Sequence, residues 1–173
     1  MISHLFNSIF GAALGSIGAI GLMIYLHDTP AVNRAVTGTV ATVLGNTLTA
    51  SVFGAAAFAQ PAAGQMFLAG QQNALEFYNR VYAAPLFGTV LVGLLLFIIG
   101  GVFVGIAIAT SGRFPRWAGW VYALGVIVFV LSNFLLPVGQ SVAAVLLFAA
   151  TVVVAWTVSR RVRPQEERIP VSP

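Results

Sequence analysis

From Leu86 to Ala109 the chain reads LFGTVLVGLLLFIIGGVFVGIAIA, twenty-four residues without one charged side chain. About 20 such residues, wound as an α-helix at about 1.5 Å each, cross the roughly 30 Å hydrocarbon core of a bilayer. Inside lipid every backbone N–H and C=O must find a partner within the protein, which leaves helices and closed barrels. A barrel needs many short segments alternating apolar with polar residues, whereas this run is continuously apolar. The expected fold is therefore all-α, a polytopic transmembrane helix bundle.

Four further stretches suit the same role. They are residues 5–26, ended by HDTP; 35–59, rich in Thr, Ala and Gly and ended by Gln60-Pro61; 117–136, stopping at Pro137; and 141–158, ended by SRRVR. The last two are separated by PVGQ, which reads as a tight helical hairpin. Five spans thus form one transmembrane domain over 1–158, followed by a basic, disordered tail over 159–173. Composition agrees: 59% of residues are apolar and only twelve side chains are charged, too few to cover the surface of a soluble domain.

The charges also orient the chain. There are eight arginines and no lysine. Arg34 lies between spans one and two, Arg113 and Arg116 between three and four, and Arg160, Arg161, Arg163 and Arg168 in the tail. With five spans all seven fall on one side, and only Arg80, accompanied by Glu76, falls on the other. Basic residues collect on the cytoplasmic side, so the N-terminus is expected outside and the C-terminus inside. The opening MISHLFNSIFGAALGSIGAI lacks the positive leader of a cleavable signal peptide. Nucleic acid is not an expected partner, since the arginines sit at the ends of apolar runs and form no patch with interleaved stacking residues.

SGRFPRWAGWVYALG, residues 111–125, is where two of those arginines meet two tryptophans. RFPR reads as a cytoplasmic turn, with Pro115 halting one helix and opening the next. Trp117 and Trp120, three apart, suit the headgroup level of a membrane. Arg113, Arg116, Trp117 and Trp120 are accordingly read as interface anchors, the alternative being a headgroup-binding site. The segment from Leu86 through this turn, followed by an LLP break and a last helix, resembles a widespread group of uncharacterised small bacterial multi-pass membrane proteins. They share a glycine-rich helix, a Pro-Arg-Trp-Ala-Gly-Trp turn and a C-terminal helical hairpin. The resemblance covers about the C-terminal half and implies the helical arrangement, not an activity. It also implies that relatives often carry an additional N-terminal helix.

Small residues recur along the spans: Gly38, Thr42, Gly45, Thr49 and Ala56 in the second, Gly101 and Gly105 in the third, and Gly11, Gly15 and Gly18 in the first. Such stripes let helix backbones approach where lipid supplies no hydrophobic drive between them. Gly38, Gly45, Gly101 and Gly105 are the packing candidates, within the bundle or at a seam with a second copy or another membrane protein. Intramembrane polar side chains are few, Asn46 and Asn133 being the most polar. They differ in depth, so separate structural roles are favoured over a shared pocket. No ionisable group lies near the middle of a span, where proton and ion pathways need one.

No cofactor is expected. His4 and His27 are 23 residues apart on one helix, about 34 Å, and cannot ligate one haem iron. Without cysteine there are no disulfides or thiolate metal sites, and without lysine no Schiff base forms. The outer connection 60–85 contains QQNALEFYNRVYAA, an amphipathic helix in which Glu76 and Arg80 pair at i, i+4 and Tyr78 and Tyr82 supply docking contacts. With no nucleophile–base pair, metal cluster or phosphate loop, the chain reads as a non-enzymatic structural or accessory membrane protein whose constant partner is the lipid bilayer. The alternative is a small transporter or binder of a neutral or lipid-like molecule.

Overall fold

The structure, a computed structural model, describes residues 8–135 and 137–166, and all the regular secondary structure among them is helical. Six helices follow one another: α1 (Gly11–Tyr25), α2 (Val32–Leu68), α3 (Ala74–Val81), α4 (Ala84–Thr110), α5 (Arg116–Leu135) and α6 (Pro137–Glu166). Four helical stretches are long and apolar enough to cross a membrane: Ser8–Tyr25, Val32–Leu68, Ala84–Thr110 and Val138–Arg161. A shorter apolar stretch, Arg116–Ser132, lies in α5. His4 and Arg168 lie outside the described residues, as do the side chains of Asn133 and Arg163.

Several helix ends differ from the expected ones. α2 does not stop at Gln60-Pro61 but carries Pro61 inside it and runs on to Leu68. Proline removes one N–H donor, yet the residues that follow it, Ala62, Ala63, Gln65, Met66 and Leu68, are good helix formers. What ends α2 is Gly70, whose φ of 70° is the left-handed conformation that glycine adopts without penalty. Its N–H donates to the Phe67 carbonyl and the next N–H, that of Gln71, donates to the Met66 carbonyl, both at 3.0 Å. This paired closure satisfies carbonyls left over at a helix end. Pro137 likewise opens α6, where a missing N–H is harmless. PVGQ is thus the first turn of a helix and not the hairpin turn. At the other end α6 continues through SRRVR to Glu166, so residues 159–166 are helical where a disordered tail was expected.

The chain divides into two compact units. The first combines the residues up to Tyr25 with Val36–Gly100, and here α2 packs on α4 through its small residues. A Cβ added at Gly45 would lie 2.6 Å from the Phe97 nitrogen and 2.8 Å from the Gly93 oxygen. One added at Gly93 would meet Thr49 Oγ1 at 3.0 Å, and one at Gly100 would collide with Thr42 and, at 2.9 Å, with the Gly38 oxygen. Gly38, Thr42, Gly45 and Thr49 therefore face Gly93, Phe97 and Gly100 in a backbone-to-backbone seam. The buried Thr42 hydroxyl has no hydrogen-bond partner there and rests against the Gly100 backbone, the setting of weak Cα–H···O contacts.

The second unit joins Leu26–Ala35 to the chain from Gly101 onward. The last part of α4 packs on α5 through Gly101, whose added Cβ would meet Val126 at 2.7 Å, and Gly105, which would meet the Gly119 oxygen at 2.6 Å and the Ala123 Cβ at 2.7 Å. α5 in turn packs on α6, with Gly125 against Leu147. The opposite side of α5 exposes Trp117, Trp120, Leu124, Val128 and Leu131. Their spacings of three and four are those of one helix face.

Candidate functional site

Three places concentrate the polar and aromatic chemistry of the chain. The first is the buried asparagine of α2. Asn46, 7% exposed, donates from Nδ2 to the Ala12 carbonyl at 3.0 Å and to Ser16 Oγ at 3.1 Å, while Ser16 donates to the same Ala12 carbonyl at 2.8 Å. Two turns nearer the start of α2, Thr39 donates to the Ala19 carbonyl at 3.1 Å. Positions 39 and 46 on α2 and 12, 16 and 19 on α1 each lie on one helix face, so polar side chains join these two helices. Asn46 thus spends its amide donors on α1. Other hydroxyls of α2 are returned to their own helix: Thr47 donates to the Val43 carbonyl and Ser51 to that of Leu48.

The second place lies where the end of α2 meets α3. Gln60, Ala63, Gly64 and Phe67 of α2 and Ala74, Leu75 and Tyr78 of α3 line an open groove of about 270 Å³, almost wholly apolar. α3 is amphipathic because its apolar residues recur at helical spacing: Ala74 is buried and Phe77 and Val81 are half-buried, while Glu76 and Arg80 are exposed. Arg80 donates to Glu76 at 2.6 Å across one turn. Tyr78 and Tyr82 stack with ring centroids 4.5 Å apart, fixing the wall of the groove. The Tyr82 hydroxyl is buried without a hydrogen-bond partner, and burial raises its pKa. The nearby Gln60 amide opposes that shift without reaching hydrogen-bond geometry.

The third place is the turn between α4 and α5 together with the loop after α1. Gly112, at φ 70°, turns the chain out of α4. Ser111 steadies the turn by donating to the Ile108 carbonyl at 2.9 Å and accepting from the Arg113 N–H at 3.2 Å. Phe114 and Ala118 are buried beside it, and in the other loop Leu26 and Ala31 are fully buried. Thr29 holds that loop by donating to the Leu26 carbonyl at 2.8 Å and accepting from the Ala31 N–H at 3.3 Å. Arg113 then bonds Asp28 at 2.6 Å, and Arg34 bonds Thr110 at 3.3 Å. Backbone hydrogen bonding, with Arg113 adding to it, holds the Asp28 carboxyl below its usual pKa.

The interface residues named from the sequence therefore separate into two sets. Arg113 is half-buried and paired with Asp28, whereas Arg116, Trp117 and Trp120 are exposed on α5. The Asp28–Arg113 pair joins residues 85 apart and leaves no local trace in the sequence. Trp156 and Arg160 did leave one, their spacing of four: the Arg160 guanidinium lies 4.8 Å from the Trp156 ring centroid. Among the described residues no three His, Cys, Asp or Glu side chains gather where a metal ion could be held. Compared with protein-family models, with curated proteins and with solved structures, the chain finds no match.

Proposed function

We propose that this chain is a five-span protein of a bacterial inner membrane, N-terminus outside and C-terminus inside, whose role is structural or accessory and not enzymatic. The observation that carries the reading is the fate of the intramembrane polar groups. A transport route needs polar side chains open to a passage, and Asn46 is instead buried and bonded to α1. On its other side α2 meets α4 at backbone distance. Among the described residues the carboxylates offer little for acid–base work, since Asp28 is paired with Arg113 and Glu76 with Arg80. The seven-to-one distribution of arginines supports the orientation, and four long apolar helices together with the shorter apolar stretch of α5 support the span count.

The chain has no cysteine, so Ser16→Cys places a single thiol beside Asn46. In sealed membranes a membrane-impermeant maleimide should leave it unlabelled until the protein is denatured. Rapid labelling from either side would reveal an aqueous path and favour transport. For the orientation, a reporter fused after Pro173 should be active only in its cytoplasmic form. A second reading, binding of a neutral or lipid-like molecule, is favoured by the apolar groove whose lining includes one amide, Gln60. An apolar fluorescent probe displaced by Phe67→Asp would support it.

A further inference from the structure

All three tryptophans of the chain lie on the α5–α6 hairpin. Trp117, Trp120 and Trp156 are 54%, 52% and 59% exposed. Their levels follow from the contact between Gly125 and Leu147, residues 22 apart in sequence and touching because the chain reverses between α5 and α6. Trp117 lies eight residues before Gly125 and Trp156 nine after Leu147, about 12 and 14 Å along their helices from that contact. Trp120 lies about 8 Å from it in the same direction. The three indoles thus form one belt at one end of the hairpin.

Arginines occupy the same end. Arg116 is level with Trp156 by the same count, and Arg160 and Arg161 follow one turn beyond. All three are exposed. Among the described residues none of them makes an ion pair, and Arg160 engages only the Trp156 ring. The Asp28 carboxylate is matched by Arg113. Below the belt, away from the arginines, α5 continues as an exposed apolar stripe through Leu124, Val128 and Leu131. Cations, then indoles, then aliphatic side chains is the order in which a phospholipid presents phosphate, interfacial carbonyls and acyl chain.

We infer that this end of the hairpin, through Arg116 at the outer edge of the Trp117–Trp120–Trp156 belt and Arg160 and Arg161 beyond it, selects anionic phospholipid headgroups over zwitterionic ones. The inference rests on the bilayer reading above and deepens it by naming the lipid class. An arginine near an anionic surface favours association by about fivefold, so three unmatched guanidinium groups give a preference that mutation removes in steps.

The tryptophans make the test local, because every indole in the chain reports on this belt. The full chain is reconstituted in vesicles of brominated-chain phosphatidylcholine or phosphatidylglycerol, each mixed with unbrominated phosphatidylcholine, and tryptophan quenching is measured. Brominated phosphatidylglycerol should associate several-fold more strongly with the wild-type belt. Arg116→Gln and Arg160→Gln should each reduce that preference by up to about fivefold, while Arg116→Lys and Arg160→Lys, which keep the charge, retain it. Both positions are exposed, and unchanged helical circular dichroism would show that the variants fold. Equal quenching by the two lipids in the wild type, or a preference undiminished in the double glutamine variant, which keeps only Arg161, overturns the inference and leaves the bilayer reading standing. Loss of the preference in millimolar inorganic phosphate would assign the arginines to a free anion and also overturn it. Absence of quenching by either brominated lipid would instead overturn the bilayer reading itself.

Discussion

α2 is held to its two neighbours in the first unit by different chemistry. Toward α4 it presents Gly38, Thr42, Gly45 and Thr49, and the backbones approach so closely that a Cβ at Gly45 would sit 2.6 Å from a backbone nitrogen. Toward α1 it presents Thr39 and Asn46, whose side chains bond α1 carbonyls. The glycines of α1 are not squeezed: a Cβ at Gly11, Gly18 or Gly21 would meet nothing within 4 Å. The same residue type thus does opposite things in two places. In the α2–α4 seam glycine is required by geometry, whereas along α1 it leaves space unfilled and directed hydrogen bonds supply the registration. Lipid offers no hydrophobic drive between helices, so a seam must use either close contact or hydrogen bonds, and α2 uses one on each side.

The most direct way to break this contrast is Gly45→Leu. Overpacking against immovable backbone should cost about 3 kcal/mol or more, seen as lost thermal stability in detergent or failure to accumulate, whereas Leu95→Ala, on an exposed position of α4, should change little. If the two variants unfold at the same temperature, the α2–α4 seam is not sterically closed. Next in size is Asn46→Ala, expected to destabilise by about 1–2 kcal/mol as interhelical hydrogen bonds in membranes do. Ser16→Ala should remove only part of that amount, and a double variant no worse than Asn46→Ala alone would show that the two act as one cluster. Gly18→Ala should go the other way, stabilising by about 0.5–1 kcal/mol, because the added methyl meets nothing and alanine favours the helix. A loss of stability there would mean that α1 has a close neighbour in the membrane.

Two smaller effects sharpen the role of burial. Glu76→Gln breaks an exposed i, i+4 pair and should cost only a few tenths of a kcal/mol, while Tyr78→Ala, which dismantles the tyrosine stack, should visibly speed hydrogen exchange over α3. Asp28 should contribute at neutral pH and lose its effect only in acid. Its carboxyl is held below the ordinary aspartate value, so its contribution is complete above that ordinary value and fades as pH falls through the lowered one. Wild type and Asp28→Asn should therefore differ at neutral pH and converge below the normal aspartate range in thermal unfolding.

Helical class and the approximate placement of apolar segments were legible because hydrophobic length and the absence of alternation are properties of single segments. Stripes of small residues were legible within single segments too. Which neighbour each stripe meets was not, since Gly18 and Gly45 look alike until the facing helix is known. The end of α2 was misplaced because Pro61 is the louder signal in sequence, whereas Gly70, through its left-handed backbone, closes the helix. The partner of Asn46 was missed because Ser16 belongs to an otherwise apolar run and only geometry brings the two together. The Asp28–Arg113 pair has no periodicity to betray it.

The length of α2 has a mechanical consequence. Its 37 residues make a rod about 55 Å long, against a hydrocarbon core of roughly 30 Å. Even leaning by about 40°, the upper end of the range for membrane helices, it still reaches about 42 Å along the bilayer normal. In a bilayer about 12 Å along the normal, about ten residues of the tilted helix, must therefore emerge at one face or be divided between both. If the overhang lies at the C-terminal end, it includes the stretch Pro61–Leu68, which carries Phe67 and one wall of the groove. A thicker membrane then draws that stretch in and a thinner one lets it out, so the depth of Phe67 becomes a gauge of the surrounding lipid.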